Sequence, residues 1–263
     1  MLSIQYMDLL GFGMGKMVTF LLVLARVGGI FTLAPVFGNQ NVTRLARIAI
    51  AVALASVFVP MVNFTLTSFE ILPFLTLIFK ETVIGVLMGF LASMVFSAIT
   101  MAGSYIDLAM GLGFAQQVDP LTKERNAVMA SLQTLVATLI FLCLNGHHMM
   151  IVGLADSFSL VPIGSMSFSP MAAKGLLFVF SGVIMAALKI AAPVVGVIFI
   201  TDVAMGIMAR TVPQMNVFNV GFALKLTAGL LVVIVVLPTT GSIVAGLFAG
   251  LHRDFVILLR SLV

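Results

Sequence analysis

The chain has 263 residues, of which 62% are hydrophobic and only 8% charged, and its mean hydropathy is +1.26. A soluble domain carries roughly 25% charged residues, so this chain cannot clothe a water-facing surface; its solvent is lipid or apolar protein. The net charge of +4 comes from scattered basic residues, without the patch or stripe that a nucleic-acid binder needs.

The N-terminal stretch from Met1 to Lys16 holds Asp8, three glycines and little positive charge. It lacks a basic n-region and a small-residue cleavage site after the first apolar run, which argues against a cleaved signal peptide. Six apolar segments follow: Val18–Ala34, Ile48–Val62, Phe74–Ile106, Ala127–Leu144, Gly175–Met208 and Phe222–Val236. No Asp, Glu, Lys or Arg occurs in Ile48–Phe69, Thr82–Ile106, Asn126–Ala155 or Leu226–His252. Each run reaches the ~20 residues that a spanning helix needs. A transmembrane barrel would instead show strands of ~10 residues with alternating polarity. Because lipid tolerates only helices or closed barrels, the expectation is an all-α, polytopic membrane-type protein built of bent or broken helical hairpins. With no fixed-period repeat or low-complexity linker, it forms a single domain over residues 1–263.

Proline and glycine punctuate the segments. Pro35 with Gly38 closes the first, Pro60 closes the second, and Pro73 precedes the third. Asp119-Pro120 precedes the fourth, Pro162 and Pro170 lie between the fourth and fifth, and Pro213 and Pro238 bracket the sixth. Two features strain a plain six-span reading. The third and fifth segments are over-long, and Pro193 falls inside the fifth, where it removes a backbone bond and kinks a helix. Orientation is also undecided. With the N-terminus inside, Lys16, Lys80, Lys174, Arg253 and Arg260 face Arg44, Arg47, Lys123, Arg125 and Arg210, five against five.

Arg26, Lys189 and Lys225 fall inside apolar segments, and Asp202 does too. Intramembrane charge is costly, so each should face a partner or a water-filled space, in a structural or pore-lining role; a lysine can also snorkel to the interface. Gly85-x-x-x-Gly89 and Gly246-x-x-x-Gly250 would let helix backbones approach closely, within the chain or against another. The 18 methionines and 22 phenylalanines read as deformable core packing.

Constellations for chemistry are sparse. His147 and His148 are adjacent, so they point to different helix faces. Adding Cys143 gives too few ligands for a closed zinc site, and the pair reads as a helix end after Asn145-Gly146. Gly111-Leu112-Gly113 meets neither nucleotide fingerprint, so no cofactor is expected, and no Gly-x-Ser-x-Gly elbow suggests a hydrolase. The most informative connection runs from Asp107 to Pro120 and mixes Gly, Met, Phe and amides between two apolar helices. Two close glycines disfavour a helix, and the composition suits an apolar-tipped insertion packing against something movable. Asp119 as N-cap with Pro120 at the first helical position reads as a helix start.

Several runs together resemble the FliR/SctT family of type III export-gate proteins. They are Leu24–Gly38, Gly113-Phe114 with Val118-Asp119-Pro120, Phe141–His148, Asp156-Ser157-Phe158 and Pro162-Ile163-Gly164. Ala192-Pro193-Val194, Asp202–Gly206 and Pro213–Phe218 complete the order, over about residues 20 to 250. The resemblance implies a structural and gating subunit, not an enzyme, in the bacterial inner membrane within the flagellar basal body. It implies assembly with FliP-like and FliQ-like subunits and an FlhB-like switch protein around unfolded export substrates. It further implies bent hairpins with much apolar mass above the bilayer plane, and a plug loop carried by Met110, Gly111, Gly113, Phe114, Gln116, Gln117 and Val118. Bulky apolar groups seal a pore without regard to sequence and can gate it by dewetting, while glycines supply hinge freedom.

Within that family the alternative is an injectisome paralogue; the Val-Asp-Pro and Pro-Gln-Met-Asn-Val-Phe segments favour the flagellar branch. Two rivals come from other classes. A small-solute carrier would place Arg26, Lys189 and Asp202 at a midplane site, but internal symmetry is lacking. An intramembrane enzyme would use His147, His148 and Asp156.

Overall fold

The computed structural model describes residues 2–35, 42–62, 64, 70–113, 127–167, 170–212, 214 and 216–263. Among the described residues every regular element is helical: α1 Leu2–Leu33, α2 Arg44–Phe58, a 3-10 turn Val59–Met61, α3 Ile71–Met110, α4 Val128–Cys143, α5 Gly146–Leu160, α6 Pro170–Thr211 and α7 Val217–Ser261. Five stretches are long and apolar enough to cross a membrane, or six if the bent pair α4–α5 counts as one span. The protein is an all-α polytopic membrane protein.

Helix ends follow local chemistry. The Thr43 hydroxyl accepts from the Ala46 N–H, an N-cap that opens α2. Pro60 sits in the 3-10 turn that closes it. Asn145, at φ 54°, takes the left-handed turn between α4 and α5, whose axes bend by 65°. The fourth apolar segment ends at this bend, and α5 beyond it is not evident from hydropathy because Asp156, Ser157 and Ser159 dilute it.

One proline expectation needs correction. Pro193 lies in the interior of α6, where the sequence places it, but Pro238 does not close the last segment; α7 runs through it to Ser261. In apolar surroundings a broken helix would strand several backbone groups, whereas an internal proline removes one donor. Continuation is the cheaper outcome.

The chain divides into two compact units. The first comprises residues 1–93, 147–179 and 250–263. There α1 and α3 touch backbone to backbone. A Cβ on Gly29 would stand 2.6 Å from the Thr82 carbonyl oxygen, one on Gly89 would stand 2.7 Å from that of Ile30, and one on Gly85 would overlap the Arg26 carbonyl. The Gly85/Gly89 pair therefore finds its partner within the chain. Gly153 on α5 is likewise held close to the Phe255 ring, whose Cδ2 would stand 2.8 Å from a Cβ placed there.

The second unit comprises residues 94–146 and 180–249. Its centre is a ring cluster, Phe96, Phe141 and Phe248, with centroids 5.1 to 5.7 Å apart; each such pair contributes roughly 0.5–1.5 kcal/mol beyond area burial. Gly103 admits Ala130 of α4 against α3. Within this unit α6 is sharply two-faced. Ala187, Ile190, Ala191, Val194 and Ile198 are buried, while Met185, Lys189, Ala192, Gly196 and Val203 are exposed.

Candidate functional site

The most elaborate polar site lies in the first unit and is centred on Arg26 of α1, a side chain with no exposed surface. Its Nε donates to Glu81 Oε2 of α3 at 2.6 Å, and Nη2 stands 2.5 Å from the same oxygen. Nη1 donates to the Ser157 carbonyl at 2.8 Å and to its hydroxyl at 3.1 Å. Nη2 also donates to the Val161 carbonyl at 2.9 Å. The Ser157 carbonyl lies in the last turn of α5 and that of Val161 just after it, where the helix dipole favours a cation. The Phe158 ring lies 4.4 Å below the guanidinium carbon, a cation–π contact.

Glu81 completes the arrangement with its other oxygen, which accepts the Gly164 N–H at 3.1 Å. Lys80 donates to the Gly164 carbonyl at 3.2 Å. Gly164 has φ +82°, a conformation that favours glycine. One ion pair thus joins α1, α3, the end of α5 and the turn after it. A fork with five N–H donors suits this task, and a lysine would not replace it. Sequence reasoning missed Glu81. The available signal was that it is the single acidic residue between Ile71 and Ile106, and a buried arginine needs a carboxylate.

The other three charges assigned to the interior lie at the surface of the chain. Lys225 of α7 pairs with Asp202 of α6 at 2.5 Å, with side chains 26% and 47% exposed. Lys189 is exposed on α6, and no carboxylate among the described residues pairs with it. Segment hydropathy reports the mean of a helix, not the face on which a given residue falls.

The end of α3, in the second unit, is the root of the predicted plug loop. The Leu112 N–H donates to the Asp107 carbonyl at 3.0 Å and the Gly111 N–H to that of Leu108 at 3.2 Å. With Gly111 at φ 80°, this is a Schellman ending, which requires a left-handed residue at that position. The Asp107 carboxylate meanwhile accepts the Met129 N–H at 3.0 and 3.1 Å and the Ala130 N–H at 3.1 Å. It caps the first turn of α4, where Ala127 offers no side-chain cap.

Met110 is wholly buried, its thioether packed where a Cβ on Gly229 of α7 would stand only 2.8 Å away. It anchors the loop root and presents no free surface, whereas space around Gly113 is open. Phe114, Gln116, Gln117, Val118, Asp119 and Pro120 lie outside the described residues.

The family model described as "Bacterial export proteins, family 1" matches residues 17–251. The chain belongs to that family. Among curated relatives of this export family, the flagellar biosynthetic protein FliR of Bacillus subtilis is 34% identical over 238 residues, covering 88% of this chain and 90% of the relative. FliR of Escherichia coli is 29% identical, covering 88% of each. The surface presentation of antigens protein SpaR of Shigella sonnei is 25% identical, covering 89% of this chain and 90% of the relative.

The histidines of this export protein do not converge. His148 and Cys143 are exposed, and among the described residues no three His, Cys, Asp or Glu side chains gather as a metal site would require. His147 is half-buried, and its Nδ1 has no hydrogen-bond partner among the described residues. Asp156, the acid of the imagined enzyme site, stands 3.7 Å from His252.

Proposed function

We propose that the chain is a structural and gating subunit of a bacterial flagellar type III protein export gate. In this reading residues 1–263 act as a single export-gate domain in the inner membrane of the flagellar basal body. Its partners are FliP-like and FliQ-like subunits, an FlhB-like switch protein, and unfolded substrates in transit. The flagellar branch is favoured over the injectisome branch by the relatives, at 34% identity against 25%.

The observation that carries the assembly reading is the length of α6. Its 42 residues run about 63 Å at ~1.5 Å per residue, against a hydrocarbon core of ~30 Å. Lying wholly within lipid would need a tilt of about 60°, beyond the usual 0–40°. Exposed apolar side chains nevertheless extend from Leu177 to Val212. Lipid cannot cover all of them, so other protein does.

The gating reading rests on the end of α3. Asp107 and Met110 hold the loop root, Gly111 turns the chain, and Gly113, Phe114, Gln116, Gln117 and Val118 then form a compliant plug. Phe114→Ala in the assembled gate should raise small-ion leak in reconstituted vesicles. Leak at the wild-type level, with the complex intact, would refute the plug.

A further inference from the structure

We infer that the exposed face of α6 around Lys189 is a docking surface for an apolar helix of another protein, and that this helix carries an Asp or Glu opposite Lys189. The inference rests on the export-gate reading and specifies one partner surface within it. Gly182, Met185, Lys189, Ala192, Gly196 and Val203 fall on one side of α6, and all are exposed. Their spacing is that of a single helix stripe: residues 182, 189, 196 and 203 recur every seven, the period of a left-handed helix pair.

Three observations choose the occupant. First, Lys189 has no carboxylate partner among the described residues, whereas Lys225, on the neighbouring apolar helix, meets Asp202 at 2.5 Å. A cation in so apolar a stripe needs an anion or water, and the chain leaves that requirement open at Lys189. Second, the stripe has room for the close approach of another helix. A Cβ built on Gly182 or Gly196 would meet no atom within 4 Å beyond its own turn of helix. These positions leave a shallow groove on either side of the lysine that admits another backbone. Third, a symmetric second copy docking through the same stripe would set Lys189 near its own counterpart. Like charges at that distance repel, so the occupant is a different chain of opposite sign.

The test uses the full chain in native membranes, co-expressed with the other gate subunits. A photo-reactive amino acid at Ala192 should form an adduct whose mass corresponds to a different gate subunit. Lys189→Glu should lower the recovered complex at least tenfold while the chain's level in the membrane is unchanged, and Lys189→Arg should retain it. Exchanging the facing partner carboxylate for lysine should restore assembly of Lys189→Glu. Gly196→Leu, at a position where an added Cβ meets no neighbouring element, should also block assembly. An adduct with lipid, with a second copy or within the chain would overturn the inference. So would wild-type assembly of both Lys189→Glu and Gly196→Leu, which would leave the export-gate reading standing. A wild-type chain that recovers no gate subunit would overturn that reading as well.

Discussion

Arg26 and Lys189 are both cations set in long apolar helices, and the protein treats them in opposite ways. Around Arg26 the chain closes every contact itself: Glu81, the Ser157 and Val161 carbonyls and the Phe158 ring surround a side chain with no exposed surface. Around Lys189 it closes none among the described residues, and the flanking stripe is bare. The first unit thus contains a finished polar core, while α6 offers an unfinished one. The difference separates what this polypeptide folds alone from what it completes in an assembly.

The largest expected effect breaks the finished side. Arg26→Ala leaves Glu81 charged and unpaired in a sealed interior, which costs about 3–5 kcal/mol. The membrane level of the chain should fall sharply, with new protease cleavage near the turn at Val161–Gly164. Glu81→Ala should do the same, and Arg26→Met with Glu81→Leu together should cost less than either single truncation. Equal or additive losses would mean that the pair is not the organising contact.

An intermediate effect lies at the plug root. Asp107→Ala removes an acceptor shared by two N–H groups of α4, about 1–3 kcal/mol, and should speed proteolysis at the α3–α4 connection. Asp107→Asn should retain part of the protection. Smallest is the pair Asp202–Lys225. Partly exposed ion pairs contribute about 0–1 kcal/mol, so Lys225→Met should leave protease resistance of the membrane-inserted chain nearly unchanged. A large loss there would show that α6 and α7 depend on that pair as the first unit depends on Arg26.

Much of this architecture was legible in the sequence. Apolar segments located the long helices because lipid leaves backbone groups no alternative to helical bonding. The resemblance was legible because its motifs occur in order along most of the chain. What stayed hidden was pairing. Glu81 is 55 residues from Arg26, and no helical period links positions on different helices. Asp107 read as the start of a loop, since its capping partners, Met129 and Ala130, lie beyond that loop. The burial of Met110 depends on Gly229 of α7, another long-range fact. Prolines misled for a related reason: Pro238 has the local chemistry of a helix end, yet the apolar surroundings of α7 make continuation cheaper.

The central claim is that the chain completes its packing against other subunits around a protein-conducting channel. Gentle extraction from native membranes followed by intact-complex mass measurement tests it most directly. The account predicts this chain in a defined hetero-oligomer with several copies of other helical membrane subunits. A stable, monodisperse single copy, with α6 covered only by lipid or detergent, would contradict it.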